Sequence, residues 1–180
     1  YRDAKDSKNE RRALERWVDT SPDDPSPRIL VARNHAARGD FKSALRAAYE
    51  ASRRAPEDPD IHVFLAASHL ELDDYDMAMD HSDIAHRIDP GRADAQQLFE
   101  AAFYVSAAST LRCAEGPDPW QRRDVEGVLA SYLQEGVRNV DVFYGFHERF
   151  KDDATVKRRL ERAARRCEKE VHGNAPGEDE

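Results

Sequence analysis

Apolar and small residues recur along this chain at helical spacing, and the recurrence itself repeats. Ile29, Val31, Ala32, His35 and Ala36 line one face of a predicted helix, and Val63, Leu65, Ala66, His69 and Leu70 line one face of another. Sliding the chain by thirty-four residues brings Asp24, Pro25, Val31, Ala32, His35, Asp40, Phe41, Ala44, Ala51 and Pro56 onto Asp58, Pro59, Leu65, Ala66, His69, Asp74, Tyr75, Ala78, Ala85 and Pro90. Eight of these pairs are identities and two are conservative. A fixed period of this length marks units that cannot bury their apolar faces alone and stack on their neighbours.

Each unit reads as two helices. The turn between them falls at Gly39-Asp40 and at Asp73-Asp74. Gly39 suits the left-handed position past a helix end, and Asp40 and Asp74 can accept the free amide hydrogens of the next helix. The second helix opens with Phe41 or Tyr75 and carries Ala44 and Ala51, or Ala78 and Ala85, on one face. Alanine there removes bulk, so paired helices approach closely. Pro56 and Pro90 cannot continue a helix and mark where each unit ends.

This pattern resembles the tetratricopeptide repeat family. The resemblance rests on the small residue at the eighth repeat position (Ala32, Ala66), the turn with its following aromatic, the alanines at the twentieth and twenty-seventh positions and the terminal proline, and it covers about Pro25 to Arg92. Arg28 and His62 stand where the family has tryptophan, and His35 and His69 where it has tyrosine. The resemblance implies an all-α fold, a right-handed α-solenoid of antiparallel helix pairs, here with a divergent C-terminal helical cap.

Domain boundaries follow from the register. Residues 1–24 read as the second helix of a preceding half unit, with Leu14, Trp17 and Val18 on one face, and the start at Tyr1 reads as a fragment of a longer polypeptide. Residues 25–92 are two repeats. Residues 93–172 are a divergent third repeat, whose first helix runs on to about Cys113, plus a capping pair carrying Val140, Phe143, Tyr144 and His147, then Val156, Leu160, Ala163 and Cys167. Between them Asp118-Pro119 reads as a helix start, followed by Trp120, Val125, Val128, Leu129 and Tyr132 at helical spacing. Residues 173–180 read as a disordered acidic tail.

A net charge of −8 argues against nucleic acid as the main partner. Arg158, Arg159, Arg162, Arg165 and Arg166 interleave with Glu161, Glu168 and Glu170 and read as a solvated helix face. Cys113 and Cys167 are the only cysteines, so there is no disulfide framework and no cysteine metal pair, although one bridge between them stays open. No stretch is apolar enough to span a bilayer. The compartment stays open, cytoplasmic being favoured over periplasmic or membrane-associated.

No motif for catalysis, phosphate binding or metal binding is present, so the expectation is a non-enzymatic protein with no cofactor and no metal. His35, His69 and His147 share one repeat position and are expected to pack between helices. In proteins of the family that this chain resembles, the first helix of each unit lines a concave groove that takes a partner peptide or helix. The corresponding positions here are Ile29, Arg33 and Ala36, then Asp60, Val63, Ala67 and Leu70, then Gln97, Ala101 and Tyr104, with Phe64 bordering them. Only Arg33 suits a carboxylate clamp, so a hydrophobic peptide or amphipathic helix is the expected ligand. The competing expectation is a groove filled internally, because Tyr104, Phe143 and Phe146 must bury somewhere. Two further readings stay open: the soluble part of a membrane-tethered assembly or export protein, and a homo-oligomerisation module joined through the open end around Trp17.

Overall fold

The computed structural model describes residues 2–115, 125, 128, 129 and 140–173. Among these the regular elements are α-helices and none is a strand: α1 (Arg2–Thr20), α2 (Ser26–Ala36), α3 (Phe41–Ser52), α4 (Pro59–Glu71), α5 (Tyr75–Ile88), α6 (Ala93–Glu115), α7 (Val140–Phe150) and α8 (Ala154–Gly173). The chain forms two compact units, Tyr1–Phe99 and Glu100–Glu180.

In the first unit each helix packs on the next, from α1 through to α5. The turns that join α2 to α3 and α4 to α5 are built alike, bond for bond. Asp40 N–H donates to the His35 carbonyl at 3.0 Å and Gly39 N–H to Ala36 at 2.8 Å; thirty-four residues on, Asp74 donates to His69 at 3.0 Å and Asp73 to Leu70 at 3.3 Å. This paired arrangement satisfies the last carbonyls of a helix and needs a left-handed residue at its centre. Gly39 has φ +76°, and Asp73 takes the same role at φ +59°. The next residue caps the following helix: Asp40 Oδ1 accepts from Ser43 N–H at 3.1 Å, and Asp74 Oδ1 from Met77 N–H at 3.5 Å. Hydrogen bonds from Ser43 hold the Asp40 carboxyl below its ordinary range. Helix starts repeat too, since Asp24 and Asp58 accept from Ser26 and Asp60 N–H, each at 2.9 Å.

The alanines of the repeat, Ala32, Ala44, Ala51, Ala66, Ala78 and Ala85, are completely buried. A methyl side chain at each contact lets helices lie close, and larger apolar groups fill the spaces between. Ile61 and Leu65 of α4 join Ala32, Ala48 and Ala51 in one cluster, against which Ile29, Leu45 and Phe64 pack.

In the second unit, α6 is unbroken through Ala107, where the repeat register called for a turn. Its Tyr104 is buried under Phe143 (ring centroids 5.5 Å apart) and Phe150 (5.7 Å, stacked), and Phe103 meets Phe146 edge to face at 6.1 Å. Aromatic pairs of this kind contribute about 0.5–1.5 kcal/mol each beyond their buried area. α7 and α8 are joined at Lys151–Asp153, and Asp153 Oδ1 caps α8 by accepting from Val156 N–H at 2.9 Å. The expectation of a fully solvated arginine face on α8 needs correction: Arg159 is buried, because it shares the inward stripe of Val156, Leu160 and Ala163 at helical spacing. Cys113 is disulfide-bonded. Of the tail expected over residues 173–180, Gly173 is instead the last residue of α8, and the rest lies outside the described residues, as do the helix start at Asp118-Pro119, Trp120 and Tyr132, whereas Val125 and Leu129 are buried.

Candidate functional site

The positions expected to form a groove take different environments. On α2, Arg33 is exposed and Ile29 and Ala36 are half-buried; on α4, Asp60 is exposed and Val63, Phe64 and Ala67 are half-buried. Ile29 and Phe64 pack against the core cluster, so each offers only part of its surface. Leu70 is 5% exposed and is a core residue. Gln97 on α6 is exposed. In the second unit Ala101 is half-buried, and Tyr104 is withdrawn from the surface by the rings around it. Its hydroxyl lies 2.9 Å from His147 Nδ1, and burial pushes its pKa up to about 12 and that of His147 down.

Arg92, to which the sequence pattern assigns no role, ties Asp60 of the expected groove to Asp94 near the start of α6. Its Nη1 meets Asp60 Oδ1 at 2.5 Å, while Nε and Nη2 take Asp94 in bidentate fashion at 2.9 and 2.7 Å. These bonds hold the Asp94 carboxyl below its usual range and raise the guanidinium further. Asp60 and Asp94 are one repeat apart, and a cation two residues before the second was the available signal.

A connected group of polar side chains in the first unit lies between α3, α4 and α5. His69 Nδ1 is 3.0 Å from Asp74 Oδ2, and its Nε2 is 2.8 Å from the Tyr49 hydroxyl. That hydroxyl is also 3.0 Å from His81 Nε2. His81 Nδ1 faces His62 Nδ1 at 3.2 Å, and His62 Nε2 is 2.9 Å from the Pro56 carbonyl. All three imidazoles are more than nine-tenths buried. Burial, then the neighbouring His62 and His69, push the His81 pKa down to about 4, and burial followed by Asp74 and Asp80 raises that of Tyr49. The packing role expected of His69 is therefore a bonded one. Pairing with His81 and Tyr49 was not legible, because the links cross 19 to 32 residues of sequence.

One repeat earlier the same positions are Glu15, Arg28, His35 and Ala47, and there an open cleft stands in place of the bonded line. A cavity of about 350 Å³ is lined by these residues with Val31, Ser43, Arg46 and Glu50. Arg28 is buried there, donates through Nη1 to the Asp24 carbonyl at 3.0 Å and has Glu50 at 3.8 Å. His35 keeps its bond to Asp40, 3.2 Å, but has no tyrosine beyond it. One repeat later a second cavity, of about 280 Å³, is lined by Asp83 and Gln96, the counterparts of Tyr49 and His62, with Ser82, His86, Ala95 and Phe99.

Among the described residues no set of three or more His, Cys, Asp or Glu side chains is arranged to hold a metal ion, and no helix is long and apolar enough to cross a membrane. No protein-family model matches the chain, and no curated protein matches it.

Proposed function

We propose that this chain is a tetratricopeptide-type helical-repeat module that holds a partner protein and supports assembly of a complex, without catalysing a reaction. The observation that carries the reading is the bond-for-bond recurrence of the turn and cap at thirty-four residues. Units so alike, each packed on the next, extend by stacking into a right-handed solenoid of antiparallel pairs. The first helices of such an array share one face. The positions assigned to that face include Val63, Ala67, Ala36 and the accessible edges of Ile29 and Phe64 as its apolar members, with Arg33 and the Asp60–Arg92 pair as its charged ones. An amphipathic helix or hydrophobic peptide anchors on such a strip by burying a few side chains.

A photo-crosslinking amino acid at Ala67 tests this, compared with the same amino acid at Arg46 in α3. A partner captured at Ala67 and lost with Val63→Asp, while the thermal midpoint is kept, is the expected result. Equal capture at both positions, or capture indifferent to Val63→Asp, contradicts the groove.

A further inference from the structure

The side chains linking α3, α4 and α5 form an unbranched line: Asp74, His69, Tyr49, His81, His62 and the Pro56 carbonyl, joined by five contacts of 2.8 to 3.2 Å. Both ends are acceptors, a carboxylate and a carbonyl. Each contact needs one proton between its two atoms. A neutral imidazole supplies one N–H and a tyrosine one O–H, so the four interior groups bring four protons to five contacts. The line is one proton short. In its neutral form one contact sets lone pair against lone pair, in a place where a buried unsatisfied polar atom is costly. Adding one proton completes all five. Adding a second forces two N–H or O–H groups to face each other.

We propose that the α3–α4–α5 junction is a one-proton site, which takes up a single proton to complete its hydrogen bonds and rejects a second. The charge balances, because the imidazolium so formed stands against the Asp74 carboxylate. The proton belongs at the Asp74 end: His69 then donates to Asp74 and Tyr49, Tyr49 to His81 Nε2, His81 Nδ1 to His62 Nδ1, and His62 Nε2 to Pro56. His81, which burial penalises if charged, stays neutral. The charged groups that act on the line are Asp74 at the turn, Asp80 on α5, and the histidines of α4 themselves; α3 contributes Tyr49. The unfolded chain binds up to three protons on the same histidines. Coupling between the two hairpins thus depends on pH through one bound proton.

The decisive variant is Asp74→Asn. A carboxamide there accepts from Met77 N–H through its oxygen and donates through its nitrogen to His69 Nδ1, so all five contacts are filled with every histidine neutral. Nitrogen-15 shifts of the imidazoles, followed through a pH titration of the full chain, count the protons. The wild type is expected to gain one in this line before the first unit unfolds, and D74N none. Tyr49→Phe supplies a second route: it leaves three contacts and three donors, so the uptake is again expected to vanish. Two or three imidazolium rings in the folded wild type, uptake unchanged in D74N or Y49F, or Zn²⁺ shifting the His62 and His81 nitrogens would each overturn the proposal.

Discussion

Two junctions occupy the same place in successive repeats and differ in nearly every side chain that fills them. The later one holds Tyr49, His62, His69 and His81 in one bonded line; the earlier holds Glu15, Arg28, His35 and Ala47 around a cavity of about 350 Å³. The backbone turns beside them match bond for bond. The shape of the repeat is therefore carried by caps, left-handed turn residues and buried alanines, which leaves junction side chains free to diverge. What is particular to this protein lies in the unmatched positions.

Among single truncations the largest effect is expected at Leu65, set against its counterpart Val31. Leu65 is fully buried in the cluster, so Leu65→Ala should destabilise the chain by about 3 kcal/mol in denaturant unfolding. Val31, half-buried beside the cavity, should lose only about 1 kcal/mol on the same change. Equal losses would mean that the two junctions are equally packed.

Acid should separate the junctions next. His81 is held neutral in the fold with its pKa near 4, below the unfolded value of about 6.5. The unfolded chain then binds the proton first, so this contribution is present above pH about 6.5 and is lost as the pH falls toward 4, by about 1.4 kcal/mol per pH unit. The earlier junction has Ala47, which does not titrate, in that place. Unfolding midpoints of wild type and His81→Gln between pH 4 and 7 check it: the variant should show the shallower slope, and parallel slopes would contradict the assignment.

Neighbouring alanines should respond with opposite signs. Ala48 is fully buried, so Ala48→Leu overpacks and should cost about 1–3 kcal/mol. Ala47 lines the cavity, and Ala47→Leu should stabilise by about 0.5–1 kcal/mol. Thermal midpoints that move the same way for both would show that the cleft has no room for a larger side chain at Ala47. The smallest effect is expected at the turns. Gly39 has open space around it but φ +76°, so Gly39→Ala should cost about 1 kcal/mol in thermal unfolding from backbone strain alone.

The helices, their turns and the buried alanines were legible because each depends on residues near in sequence: Asp40 caps the helix it precedes, and Pro56 ends its own unit. The later pair of helices was legible for the same reason, from Val140, Phe143, Val156 and Leu160. The candidate face was legible only as a set of positions. Whether Leu70 and Tyr104 are reachable depends on packing from elsewhere, on the core beneath Leu70 and on Phe143, Phe150 and His147 around Tyr104. Arg159 was misplaced because a run of charge hid a stripe of apolar spacing. The line through Tyr49 and His81 had no local signature, since neither residue has a like counterpart one repeat away.

A crystal structure of the chain offers the most direct test of stacked repeats. The rigid-body operation that carries α2 and α3 onto α4 and α5 is expected to be right-handed and to carry the stretch from Ser7 to Val18 of α1 onto α3 as well, because thirty-four residues separate each pair. A left-handed operation, or one that leaves α1 displaced from α3, would contradict it.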